Sequence, residues 1–267
     1  MSLTRYAPQL HQSLRLLVAE PVTLVRCAAA WFVLALAAHF AKGLGLPGGP
    51  LIPFVLNALA FGAFALPWQR FVALGEKPTA PVAVKIGLRS LAWALTYQIF
   101  LGFEAVVTQL FTIILADNTN ADIIALAGTQ LFQLLIGPML LMLPHITLWK
   151  KEDKAANLQE IVIAGGLAVG LGYVLAGLPF TLATMMLVEI TPMLPPGPVT
   201  EIGLVVVQFL ISFLATAVMA AYYALVWQDL RATTPSRMAA AQAAEKEAKA
   251  KDEGKERRTH RLTKGKR

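Results

Sequence analysis

Six stretches of the chain are apolar almost without interruption: residues 22–41, 51–70, 89–116, 123–149, 161–187 and 202–227. Each is long enough to cross a bilayer as a helix, which takes about 20 apolar residues. Their pattern predicts an all-α fold, a polytopic membrane bundle of six transmembrane helices. The third stretch, 28 residues long, reaches about 42 Å at ~1.5 Å per residue, so it tilts or projects beyond the lipid. Pro53 sits in the first turn of the second, where proline costs least. The first stretch exceeds the apolar region of a signal peptide and follows a segment holding Pro8 and Glu20, so it reads as an uncleaved span.

The flanks carry different patterns. Leu3, Tyr6, Leu10, Leu14 and Leu17 recur at helical spacing between Arg5, His11, Gln12 and Arg15. Residues 1–20 therefore read as an interfacial amphipathic helix, lying along the membrane surface or packed on the cytoplasmic face of the bundle. Residues 21–230 form the transmembrane domain. In the remainder, 231–267, Thr234-Pro235 opens a surface helix through Met238–Lys251. Beyond Gly254 the chain is basic and polar with one leucine, a composition that predicts disorder.

Composition narrows the classes. Apolar residues make up 57% and charged residues 15%, against roughly 45–50% and about 25% in soluble domains, which excludes a soluble enzyme. The net charge of +7 belongs to the tail: residues 231–267 hold twelve Lys/Arg against five Asp/Glu, whereas 1–230 hold eleven of each. The body thus offers no basic surface for nucleic acid. The tail is expected to meet anionic lipid headgroups or a protein partner in the cytoplasm. Cys27 is the sole cysteine, so an intrachain disulfide and a cysteine metal cluster are both ruled out.

Basic residues also set orientation. Arg5, Arg15, Arg70, Lys77, Lys85, Lys150, Lys151, Lys154 and the tail fall on one side, while the opposite loops offer only Lys42. The expectation is a bacterial inner (plasma) membrane protein with both termini cytoplasmic.

Each even-numbered span ends in tryptophan and polar residues: Trp68-Gln69-Arg70, Trp149-Lys150-Lys151 and Trp227-Gln228-Asp229, the tryptophans 81 and 78 residues apart. Three duplicated hairpins would give this regularity, and so would the ordinary preference of Trp and Lys/Arg for interfaces. The first of these corners, Trp68 to Pro78, resembles a Trp-x-Arg-aromatic…Leu-x-Glu-x-Pro stretch of uncharacterised multi-pass inner-membrane proteins of proteobacteria. Those are distantly similar to the membrane domain of glycerophosphoryl diester phosphodiesterases. Tyr222-Tyr223…Asp229-Leu230-Arg231 is similar to the end of their last helix. The resemblance implies a six-helix α-bundle in which Trp68, Arg70, Glu76 and Pro78 build a cytoplasmic corner. It departs from the pattern at Gln69, where histidine is common, and without a phosphodiesterase domain beside it implies no catalysis. Six residues separate Arg70 from Glu76, too many for an ordinary pair within a helix, so only a loop brings them together.

Catalytic chemistry finds no support. No serine lies in a Gly-x-Ser-x-Gly elbow, and His11, His39, His145 and His260 are scattered without metal-ligand spacing, so neither catalytic residues nor a cofactor is expected. The loop Asp117–Asp122 lacks the order and glycine of a calcium loop and reads as a solvated turn. Gly165, Gly166, Gly170 and Gly172 in the fifth span read as a surface for close helix approach.

The intramembrane polar residues are more informative. Distance from the nearest loop places Asn57, Gln130, Gln133 and Gln208, with His39, in the periplasmic half, and Glu104 near midplane. Ser90, Tyr97, Glu104, Thr108 and Thr112 are spaced by seven, seven, four and four, which keeps them on one helix face. An ionised carboxylate there costs at least ~2.5 kcal/mol, so it takes a proton or faces polar partners. Two functions fit: a non-enzymatic protein that organises membrane partners or lipid, or a small secondary transporter with a polar site around Glu104. No span shows the paired interruption common in transporters, which counts against the second.

Overall fold

A computed structural model describes residues 4–41, 51–78, 87–114, 121–148, 157–234 and 244, apart from the side chains of 121 and 122. The tail helix, the corner at Trp149 and most of the Asp117–Asp122 loop lie outside the described residues. The elements are α1 (Ala7–Ala19), α2 (Pro21–Ala41), α3 (Leu51–Leu74), α4 (Leu88–Ile114), α5 (Ala121–Ile136), α6 (Met142–Leu148), α7 (Leu158–Ile190) and α8 (Pro198–Thr233). A 3-10 segment, Gly137–Leu141, joins α5 to α6, and another, Thr191–Met193, continues α7. Strands are absent among the described residues. Six helical stretches are long and apolar enough to cross a membrane, as expected of a polytopic all-α bundle.

The helix ends follow local chemistry. Asn157 and Glu160 form a capping box at the start of α7, the Asn157 side chain accepting from the Glu160 N–H at 2.9 Å and Glu160 accepting from the Asn157 N–H at 3.0 Å. Gly75, at φ +69°, turns the chain out of α3, with its N–H on the Phe71 carbonyl at 2.8 Å. The last span is longer than its apolar run of 202–227, because Glu201 sits in the first turn and Arg231 in the last, where each complements the helix dipole.

The final span is the hub. α8 packs against α1, α2, α3, α6 and α7. Its alanines 217, 220, 221 and 224 are fully buried and let neighbouring backbones approach, while Tyr222, Tyr223 and Trp227 fill the gaps between them. Around them stand Phe64, Trp68 and Trp93, with Leu140, Leu141 and Leu143 of the fourth span and Ile161 and Val169 of α7. This core belongs to one end of the bundle, where α3, α6 and α8 finish and α4 and α7 begin. Toward the other end, large side chains turn outward: Ile114 is 74% exposed and Val199 86%.

α1 docks on the packed end. Tyr6 is buried there at 2% exposure and Arg5 reaches Asp229 of α8 at 3.4 Å, whereas Val18 points away. Burial raises the Tyr6 phenol above its ordinary pKa, with the Arg5 guanidinium opposing.

Two spans are broken, against the expectation of uninterrupted helices. The fourth changes to 3-10 geometry at Gly137-Pro138, where proline removes a helical donor. The fifth turns out of helical geometry at Gly166, φ +50° and ψ −156°, a conformation tolerated by glycine. The glycines of α7 therefore divide their roles. Gly170 and Gly172 serve close approach: an added Cβ would stand 1.9 Å from the Leu134 carbonyl oxygen and 1.9 Å from the Tyr222 hydroxyl, respectively. Gly166 has open space around it and serves the break.

Candidate functional site

Beside the packed end lies a cavity of about 190 Å3, walled by α4, α5, α7 and α8. Tyr97 and Glu104 enter it from α4, two turns apart on the face predicted by their spacing. Gln133 enters from α5, Tyr173, Thr181 and Thr184 from α7, and Ser212 from α8. Glu104 is half-buried and forms the polar centre. The Gln133 amide donates to its carboxylate, and so does the Tyr173 hydroxyl. Tyr97 is hydrogen-bonded to Thr216 of α8.

One turn beyond, Thr108 donates to the Glu104 carbonyl at 2.9 Å, and its hydroxyl meets that of Thr129 on α5 at 2.8 Å. The pair ties α4 to α5 above the carboxylate. Beneath the cavity the packed end closes the bundle. Tyr223 donates to the Gly137 carbonyl at 2.7 Å and Tyr222 to the Val169 carbonyl at 3.1 Å. The two tyrosines so secure the interrupted fourth and fifth spans to α8.

The structure thus gathers Glu104, Tyr97, Gln133 and Thr108 in one place. The other amides stand apart. Gln208 is exposed on α8, and Asn57 on α3 and Gln130 on α5 are partly buried outside the cavity lining. The side-chain oxygens of Asn57 and Gln130 are shielded and accept no hydrogen bond from the described residues. His39 of α2 packs edge-on against Phe209.

A second polar centre lies within the packed end. Gln69 is fully buried and touches three other elements. Its carbonyl oxygen accepts from Trp93 Nε1 of α4 at 3.2 Å and from Thr147 Oγ1 of α6 at 2.7 Å. Its amide donates to the Ala220 carbonyl of α8 at 3.4 Å. Next to it, Trp68 Nε1 donates to the Ala217 carbonyl at 2.8 Å. Arg89 reaches the Thr147 carbonyl at 3.3 Å, so the entry of α4 is held to the end of α6.

The neighbouring corner closes as a fork. Arg70 Nε and an Arg70 terminal nitrogen donate to the two Glu76 carboxylate oxygens at 2.7 and 2.8 Å. The turn at Gly75 folds Glu76 back across the five intervening positions. Both side chains keep solvent contact, Pro78 follows directly, and Gln228 of α8 donates to the Ala73 carbonyl. The corner is a brace between α3 and α8.

Sequence reasoning missed Tyr173, Thr181, Thr184 and Ser212 in the cavity. Single hydroxyls in apolar helices carry little signal, since most serve their own backbone. Among the described residues, no cluster of His, Cys, Asp and Glu is arranged to hold a metal ion. Comparison with family models, with curated proteins and with solved structures yields no match for this chain.

Proposed function

We propose that this multi-pass membrane protein is a small secondary carrier that binds a polar solute at Glu104. The observation that supports it is the cavity itself: about 190 Å3 of space lined by both polar and apolar atoms around a carboxylate, among helices that are otherwise apolar. The breaks at Gly137–Leu141 and Gly166 add support, since discontinuous helices accompany the binding sites of many carriers. The reading places the protein in a bacterial inner membrane with both termini cytoplasmic and the cavity in the periplasmic half. The basic tail then attaches to anionic headgroups, and no covalent chemistry is assigned to the chain.

Cysteine labelling tests the reading. Cys27 is buried at 1% exposure, so a Cys27→Ala background supplies a clean start. In that background Thr184→Cys and Ser212→Cys are expected to react with a membrane-impermeant maleimide added to the periplasmic side. Leu182→Cys, at similar depth on the exposed outer face of α7, should stay unlabelled in lipid. Equal silence at all three positions would mean a dry cavity and end the carrier reading.

A further inference from the structure

The proposal above leaves the solute open; on the basis of that reading, we infer from the hydrogen-bond inventory of the cavity that it takes a small organic ammonium ion. Each hydroxyl has one hydrogen to give. Thr181 gives its hydrogen to the Gly177 carbonyl at 3.3 Å, Thr184 to the Phe180 carbonyl at 2.9 Å, and Ser212 to the Gln208 carbonyl at 2.9 Å. The Thr216 hydroxyl lies between the Ser212 carbonyl, at 2.8 Å, and the Tyr97 hydroxyl. The Tyr173 hydrogen goes to the Glu104 carboxylate. One N–H of Gln133 goes there as well.

What remains toward the cavity is acceptor capacity: hydroxyl lone pairs, the Gln133 carbonyl oxygen and the carboxylate. The spare donors are the second N–H of Gln133 and the Tyr97 O–H. Among the described residues no Lys, Arg or His lines the space, so the one formal charge they offer there is negative. An anion would meet that charge and two free donors. A neutral polyol would present as many acceptors as donors to a wall that needs donors. An ammonium group brings two or three N–H donors and the opposite charge. The rings of Tyr97, Tyr173 and Phe180 also line the cavity and suit a cation bearing carbon. Size favours an organic cation over a bare metal ion. A volume of about 190 Å3 is many times the ~10–15 Å3 that one water needs, far more than one desolvated sodium ion fills.

The test uses the full chain, purified in mild detergent, with Thr184→Cys in the Cys27→Ala background. n-Butylammonium, butyramide, butyrate and sodium ion are compared at constant ionic strength for their effect on maleimide labelling. n-Butylammonium is expected to slow labelling several-fold at millimolar concentration, with the other three inert. Adding Glu104→Gln should abolish that protection while the variant elutes as wild type and labels at the unprotected rate. Protection by sodium alone, or equal protection by butyramide or butyrate, would overturn the ammonium assignment. Efficient labelling that none of the four probes slows would overturn it too, leaving the aqueous cavity intact. An unlabelled Thr184→Cys would instead strike at the carrier reading on which it rests.

Discussion

One amide, Gln69, holds α3 to α4, α6 and α8 at once, through two accepted bonds and one donated. A buried polar group deprived of its partner costs ~1–3 kcal/mol. Gln69→Leu strands the Trp93 indole N–H, and thermal unfolding in detergent should show a loss of that order. Gln69→His keeps one acceptor and one donor and should recover part of it; equal loss in both variants would mean that Gln69 matters for shape alone. At this scale the sequence was legible where a helical face organises residues. Tyr97, Glu104 and Thr108 come together because seven- and four-residue steps return to the same side of α4. Depth arithmetic gave the height of Asn57, Gln130 and Gln208 but not their direction around the helix axis, and those three stand apart from Glu104. Gln69 stood out only as a departure from the family pattern, because beside a basic residue and a tryptophan it looks like part of an interface, whereas α4, α6 and α8 enclose it.

Among the elements, α7 shows how similar glycines do different work. Gly170→Ala would drive a methyl into the Leu134 carbonyl, and backbone cannot yield as a flexible side chain does. It should separate α5 from α7 and lower thermal stability by at least 2 kcal/mol, about the cost of overpacking a tight core. Gly166→Ala meets no atom within 4 Å yet should cost ~1–3 kcal/mol through its backbone angles. Gly102→Ala in α4, with open space and helical geometry, is the control expected to change nothing. Stability of Gly166→Ala equal to the control would remove the break from the account. The six spans were readable because lipid demands long apolar runs. The breaks were not, since a glycine pair in an apolar run has the same composition whether it packs or turns.

For the whole molecule, topology is the prediction that composition alone makes sharply. A reporter active only in the periplasm should be silent when fused after Arg267 and bright when inserted between residues 117 and 122. The opposite result would invert the bundle and move the cavity to the cytoplasmic half. The general architecture was legible for the same reason as the spans, but the identity of the hub was not, because hydropathy carries no record of which helix sits among the others. That hub, α8, is also the last of the six spans to be synthesised, which sets an order of events. Until it leaves the ribosome, α1, α2, α3, α6 and α7 lack the helix on which all five pack. The indole of Trp68 and the amide of Gln69 then wait for carbonyls at Ala217 and Ala220 that have yet to be made. Assembly of this bundle therefore waits for α8. Before that, the faces of the five helices that α8 covers have no protein partner to pack on.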